Sequence, residues 1–162
     1  MLPALDQILF LNLEPYSFRD KDKKVSEIGV VLGDIEYKSR SLKGIKEAIK
    51  HKDPQYLCGH NIRNFDLRYL TDSPLEQYTK LPILDTLEFS GLLLPWKQNQ
   101  KLNKSYKENG LEPIHDPLED AKLTKRLFFE AIQTYQQLPK KYQNWLFTLL
   151  RESAKFSPFL HF

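Results

Sequence analysis

The sequence predicts an α/β fold in which a mixed β-sheet is flanked by helices. Short apolar runs bounded by turn residues dominate the first half of the chain, at 8–14, 28–32, 35–39 and 55–58. Segments with apolar residues at helical spacing dominate the second half. Three strands, a helix, a fourth strand and then mostly helices are typical of a sheet with helices packed on it. The 162 residues suffice for one domain with a substantial core.

The first three predicted strands are antiparallel neighbours. Apolar residues fill 8–14 and 28–32, and a polar, charged loop separates these two runs. Gly33-Asp34 is a turn signal, so 35–39 is predicted to pair back against the second strand. The run at 55–58, closed by Gly59, is predicted to add a further, parallel strand.

Six segments are predicted to be helical, and Pro or Gly residues mark several of their ends. These segments are 42–49, 65–70, 86–94, 101–109, 118–138 and 140–152. We expect 1–138 to form the main domain and 139–162 to form a C-terminal helix with an aromatic tail. The tail, 156–162, either folds back on the domain or leads into a further domain of a longer protein, and the sequence favours neither.

Composition points to a protein that works outside membranes in a reducing compartment. No run of about 18 uninterrupted apolar residues occurs, and the N-terminus has no secretory pattern. The single cysteine, Cys58, cannot form an internal disulfide, which favours a cytoplasmic location. The net charge of +3 does not itself indicate nucleic acid. Lysines at 97, 101, 104 and 107 form a local basic run, which is either a solvated face or a rim that contacts phosphates.

The first predicted strand carries two polar residues at its end. Alternation along 8–14 puts Phe10, Asn12 and Glu14 on one face of the sheet. A polar pair that closes a buried strand on a sheet face indicates a site. The alternative is simple exposure at the edge of the sheet.

A second polar pair follows the fourth predicted strand. Asn61 lies just after the strand end, where ligand sites occur in α/β sheets. Asp66 shares a helical face with Tyr69 and Leu70, so it is predicted to point toward the core. The alternative makes Asn61 a helix N-cap and Asp66 an ordinary helix residue.

A third polar pair lies at the start of the longest helix. Asp116, Pro117 and Glu119 match a capping box, so these residues already have a structural role. Asp120 instead lies on the half-apolar face of the helix, and a carboxylate that points inward requires a cation or hydrogen-bond donors. His115 precedes the helix and could approach the same ligand. The alternative is an aspartate satisfied by backbone amides and a surface histidine.

Together the three elements resemble the DnaQ-like 3′–5′ exonucleases of the DEDDh type, which have an RNase H-like fold. The matching segments are Asn12-Leu13-Glu14, His60 to Asp66 and His115 to Asp120. Shorter similarities are Glu27-Ile28-Gly29, Asp85-Thr86 and Lys101-Leu102, and the resemblance extends over about 8–135. The family's first motif is Asp-x-Glu, so Asn12 replaces its first aspartate.

The resemblance implies a phosphodiester hydrolase that uses two divalent ions, Mg²⁺ or Mn²⁺, about 3.5–4 Å apart. Position 12, Glu14 and Asp120 would hold the first ion. Position 12 would also bridge to the second ion, which Asp66 would assist through water. His115 would act as general base, since its ordinary pKa of about 6.5 suits neutral pH. The product would be a nucleoside 5′-monophosphate released from a 3′ end.

The resemblance also implies a single-stranded nucleic-acid 3′ end as the partner, with DNA favoured. Leu13 and Phe65 are candidates to wedge or stack the terminal nucleotide, and Asn61 could orient the strand. Relatives include dimers and domains of polymerases or helicases. Oligomeric state and linkage to a larger polymerase- or helicase-linked protein therefore stay open.

Asn12 is the main departure from the family pattern. An amide offers one neutral carbonyl oxygen where a carboxylate offers two charged ones, so it bridges two cations poorly. Three explanations stay open: a deliberate substitution, a natural slow enzyme, or a binding module that grips 3′ ends without cutting. We therefore expect an exonuclease impaired by Asn12, with a catalytically silent nucleic-acid-binding or protein-interaction module as the alternative. An unrelated α/β domain whose motifs coincide by chance is a third hypothesis.

Overall fold

A computed structural model of the chain describes residues 5–16, 24–96 and 116–162. Its strands, β1 to β5 in chain order, are Ile8–Pro15, Val25–Leu32, Ile35–Ser39, Tyr56–Gly59 and Ile83–Asp85. Its α-helices, α1 to α5, are Leu42–Ile49, Leu67–Leu70, Thr86–Leu93, Pro117–Gln137 and Lys140–Leu150. Short 3₁₀-helices occur at Leu5–Gln7, Glu76–Lys80 and Phe159–His161.

The five strands form one mixed sheet in the order β3-β2-β1-β4-β5. The pairs β1–β2 and β2–β3 are antiparallel, whereas β1–β4 and β4–β5 are parallel. The predicted α/β class and the mixed sheet, with three antiparallel strands followed by a parallel one, are therefore confirmed. Among the described residues, no helix combines the length and apolar character needed to cross a membrane.

Alternation along β1 divides the core into two layers. Ile8 and Phe10 belong to a cluster with apolar residues of α3, α4 and the C-terminal tail. Leu9, Leu11 and Leu13 belong to a second cluster on the opposite face, with residues of α1, α2 and the 3₁₀-helix at Glu76–Lys80. The central strand is thus covered by helices on both faces, as parallel sheets require.

The predicted element bounds are close to the observed ones, with one strand missed. The segment Ile83–Asp85 forms β5, and three residues are too few to produce a periodic pattern. The expected strand at 55–58 is observed one residue later, and the expected helix at 65–70 begins at Leu67 after a series of turns. The helix predicted at 101–109 lies outside the described residues.

The C-terminal tail packs on the core of the sheet. Phe159 and Phe162 are 3% and 8% exposed, and both belong to the cluster that contains Phe128. The ring of Phe159 lies 4.5 Å from that of Phe89, centroid to centroid. The first of the two possibilities for the tail, that it folds back, is the one observed. The division at 138 and a further domain beyond the tail stay predictions.

Candidate active site

Asn12 and Glu14 lie on the face of β1 that α4 covers. They continue the alternation of Ile8 and Phe10, whose side chains pack against α4. Both residues are half-buried, and β1 is the central strand of the sheet. Edge exposure therefore does not explain this polar pair.

Gly29 on β2 lets the start of α4 approach the sheet beside Asn12. Gly29 pairs directly with Asn12 across the β1–β2 ladder. A Cβ at position 29 would lie 2.2 Å from the backbone nitrogen of Leu118 and 2.4 Å from its Cα. Only glycine permits this contact, since no side chain fits between strand and helix. The first turn of α4, which carries Asp120, is consequently held against the strand face that carries Asn12.

Two ion pairs fasten α4 to β3 on the same face. The Lys38 ammonium donates to Asp116 Oδ2 at 2.8 Å, and Asp116 is the N-cap of α4. Six residues further along the chain, the Lys122 ammonium lies 2.8 Å from Glu36 Oε2. Each such partly exposed pair contributes little stability, on the order of 0–1 kcal/mol. Together they fix where the helix begins, and so where Asp120 sits.

Asp120 is buried, with 2% of its surface exposed. Its backbone nitrogen donates to Asp116 O, and its carbonyl accepts from the Thr124 hydroxyl, as expected for the first turn of a helix. The prediction that this carboxylate points inward is confirmed by its burial. A carboxylate in such a position favours a cation or strong donors nearby.

Asp66, at the start of α2, is hydrogen-bonded to β1. Its Oδ1 accepts a hydrogen bond from the backbone nitrogen of Leu13 at 3.2 Å. The β1–β4 pairing ends at Phe10, so β1 extends past its neighbour and this amide is free to bind Asp66. Burial of the carboxyl, with smaller contributions from the nearby charges of Asp85 and Glu14, raises the pKa of Asp66 to about 8. Asp66 therefore sits within electrostatic range of Glu14, although 52 positions separate them.

Asp85 holds the loop at 61–63 in place, a role that the sequence analysis did not assign to it. Its Oδ1 accepts from the backbone nitrogens of Asn61 at 2.8 Å and Leu87 at 3.1 Å, and its Oδ2 accepts from that of Arg63 at 3.1 Å. One buried carboxylate thus caps α3 and holds the loop that leads to Asp66. The Asp85-Thr86 pair was the available signal, since aspartate is a favoured N-cap residue.

Asn61 has a left-handed backbone, with φ of +63°. Asparagine tolerates this region better than most residues do. Its Oδ1 accepts from Asn64 Nδ2 at 2.9 Å, and the N-cap of α2 is Asp66 rather than Asn61. The N-cap alternative for Asn61 is therefore wrong. Its predicted contact with the substrate strand stays a prediction.

The two apolar candidates for nucleotide contact differ in accessibility. Leu13 is 1% exposed and belongs to the core, so it offers no surface to a base in this conformation. Phe65 is half-buried, and the guanidinium of Arg68 lies 4.8 Å from its ring centroid. The parity of β1 directs the Leu13 side chain into the opposite layer, and its contact with the substrate stays a prediction. Phe65 stays a candidate.

His115 and the lysines at 97, 101, 104 and 107 lie outside the described residues. The described half of the third motif begins at Asp116. The assignment of His115 as general base and that of the basic run as a phosphate-contacting rim stay predictions.

A polar cleft of about 440 Å³ opens beyond the end of β1. Its lining consists of Glu14, Pro15, Tyr16, Ser26, Glu27 and Arg40. The Ser26 hydroxyl donates to the carbonyl of Glu14, and the Arg40 Nε lies 3.4 Å from Glu27 Oε1. Glu14 thus faces open space on one side and the α4 face on the other.

The described part of the chain contains no preassembled metal-ion site. Within 5–16, 24–96 and 116–162, no group of three or more histidine, cysteine or acidic residues is arranged to hold a metal ion. Asn12 Oδ1 is a buried oxygen that has no hydrogen-bond partner in this part of the chain. Such an oxygen suits a cation, but it is neutral, and a hard divalent ion prefers carboxylates. The oxygen that would be shared by two ions therefore lacks the required charge.

The five-stranded mixed sheet flanked by helices is that of a DnaQ-like exonuclease domain of the RNase H-like superfamily. The chain belongs to the family described as DNA polymerase family B, exonuclease domain, whose model matches residues 13–138. The match begins one position after Asn12, so it does not bear on that residue. No curated protein matches the chain.

Proposed function

We propose that this domain acts on single-stranded nucleic-acid 3′ ends, with DNA favoured, as a 3′–5′ exonuclease whose hydrolytic step is impaired by Asn12. The hydrogen bond from Leu13 N to Asp66 Oδ1 carries the proposal. It joins the second motif to the first, while Gly29 brings the start of α4 to the same strand. Membership of the exonuclease family supports the reaction class.

The residues of this chain have distinct roles in the proposed reaction. Glu14 and Asp120 supply carboxylates on the α4 face, and Asp66 supplies one from the loop. Asn12 contributes only a neutral carbonyl. Divalent ions, two in the family's mechanism, would stabilise the attacking and leaving oxygens when bound. Because position 12 lacks a charge, we expect the second ion to bind weakly. His115 is proposed to accept the proton of the attacking water.

A silent binding module is the second candidate, and the neutral side chain of Asn12 favours it. The pKa of Asp66, raised to about 8 by burial, adds to this case. A site with a protonated Asp66 and an amide at position 12 has little negative charge to repel phosphates. Such a site could hold a 3′ end without cleaving it.

The decisive experiment restores the carboxylate. Asn12→Asp is expected to raise Mg²⁺-dependent hydrolysis of labelled single-stranded DNA by at least about 100-fold, as recovery of a metal ligand predicts. Gln133→Glu is the matched control, because it makes the same charge change at an exposed position of α4. It should leave the rate unchanged. A strand labelled at its 5′ end would show a ladder if degradation starts at the 3′ end.

The two candidates differ in their metal binding and in their response to Asn12→Asp. Calorimetry with Mn²⁺ should find one bound ion for the chain with Asn12 and two for Asn12→Asp if the domain is an impaired nuclease. No bound ion in either form, with equal negligible rates, would support the binding module. Parallel assays on DNA and RNA identify the substrate.

A further inference from the structure

Helix α5 presents a row of exposed apolar side chains. Tyr142, Trp145 and Leu149 are 49%, 53% and 75% exposed. Spacings of three and four residues place them on one side of the helix. The rings of Tyr142 and Trp145 meet edge to face at 5.5 Å, and the Lys141 ammonium lies 4.8 Å from the Trp145 ring centroid. We call these four residues the α5 platform.

The C-terminal segment also carries the positive charge of the chain. Residues 139–162 contain four lysines or arginines and one glutamate, so they account for the whole formal net charge of +3. The remaining 138 residues are neutral overall. Helix α5 itself contains two lysines and no acidic residue. Arg151 pairs with Glu152 and Lys155 pairs with Glu88, so the positive charge available to a polyanion comes from Lys140 and Lys141 of the helix that exposes the aromatic rings.

The segment that follows α5 contacts the loop that carries Asp66. Just beyond α5, the carbonyl of Ala154 accepts from Arg63 Nη2 at 3.3 Å, and the Lys155 ammonium lies 3.0 Å from Glu88 Oε1. Arg63 belongs to the loop between Asn61 and Asp66, its Nη2 also donates to Ile83 O at 2.9 Å, and its Nε lies 3.4 Å from Glu88 Oε2. The end of α5 therefore abuts the loop that carries a carboxylate of the site.

We infer that the α5 platform binds single-stranded nucleic acid upstream of its 3′ end, with bases stacked on Tyr142 and Trp145 and phosphates beside Lys141. This inference rests on the proposed function for the identity of the polymer. Stacking on aromatic rings combined with lysines is the way proteins hold single strands without reading sequence. The positive charge favours a nucleic acid over an apolar protein segment, which would need no charge.

The test compares binding of a long and a short strand by the full chain. Fluorescence anisotropy would follow an oligothymidylate of about 15 nucleotides and one of about 3, since only the longer strand could reach the platform. The double variant Tyr142→Ala/Trp145→Ala should bind the long strand at least about ten-fold more weakly and the short strand as before. Trp145→Phe should retain most of the affinity. Phe147→Ala, which truncates an exposed ring on another side of α5, is the matched control.

A spectroscopic readout locates the contact. The chain has two tryptophans, so Trp96→Phe leaves Trp145 as the sole indole. The long strand should quench the fluorescence of Trp145 and the short strand should not.

Lys141→Gln should lower the dependence of affinity on salt concentration, because one phosphate contact is lost.

The possible failures are distinguishable. If the double variant binds the long strand as tightly as the wild-type chain does, the inference about the α5 platform is refuted and the proposed function is unaffected. Absence of binding to either strand by the wild-type chain would overturn both. A change in self-association of the double variant, with unaltered strand binding, would identify the platform as a contact between copies and refute the inference.

Discussion

Replacing Asp66 by asparagine should make the metal-free protein more stable at neutral pH. In the folded state burial raises the pKa of this carboxyl to about 8, against 3.8 for an exposed aspartate. At pH values between 3.8 and about 8, the carboxyl of Asp66 is protonated in the folded chain and ionised in the unfolded chain. The free energy of unfolding must therefore fall as pH rises through this window. Asparagine removes the titration and keeps an oxygen that can accept from Leu13 N.

The magnitude follows from the two pKa values. Each unit of difference corresponds to about 1.4 kcal/mol, so from pH 4 to pH 7 the group lowers the stability of the wild-type domain by about 4 kcal/mol. The stability of Asp66→Asn relative to wild type should accordingly increase by about this amount over the same range. The assay is urea denaturation in EDTA at half-unit steps of pH.

Asp34→Asn is the control, because the contribution of Asp34 to stability depends on pH in the opposite direction. Asp34 is fully exposed, and its hydrogen bond with Lys52 lowers the pKa of its carboxyl. The stabilisation of the folded state by ionised Asp34 is present above the pKa of this carboxyl in the unfolded chain, and it is lost as pH falls. Asp34→Asn should therefore be slightly destabilising at pH 7 and should not change stability in acid. Parallel pH profiles for wild type and Asp66→Asn would refute the argument, because they would mean that Asp66 is ionised in the folded protein.

The remaining predictions concern the elements that assemble the site. Gly29→Ala should destabilise the domain by about 3 kcal/mol or more in urea denaturation, because its Cβ would overlap the backbone of α4. Gly91→Ala, whose Cβ meets nothing within 4 Å, should instead stabilise by about 0.5–1 kcal/mol. Asp85→Ala leaves three backbone donors without their acceptor, so amide exchange at Asn61 and Arg63 should accelerate at least about ten-fold while the β1–β2 amides stay protected. Equal acceleration in both regions would mean that the whole domain is destabilised.

The sequence was sufficient for four of the five strands and for the placement of Asn12, Glu14 and Asp120 within their elements, because local chemistry determines these features. Alternation along β1 put Asn12 and Glu14 on one face, and capping chemistry at Asp116 left Asp120 to point inward. Both inferences follow from the positions of neighbouring residues.

Other parts of the site depend on contacts between distant residues, and no local pattern encodes these. The clamp of Asp85 on the loop at 61–63 joins β5 to a segment more than twenty residues earlier. The burial of Leu13 could have been read from the same alternation that placed Asn12, since neighbours on a strand face opposite ways. The prediction that Leu13 contacts the substrate comes from the family resemblance and not from this alternation.

Anchoring of the C-terminus has a practical consequence for anyone who expresses this domain. The family match ends at 138, yet Phe159 and Phe162 fill the layer around Phe128, and Ala154 braces Arg63. A truncated version that stopped at the family boundary would leave an apolar cavity against the sheet and remove the hydrogen bond between Ala154 and Arg63 in the loop that precedes Asp66. Such a fragment should aggregate, and its inactivity would say nothing about Asn12.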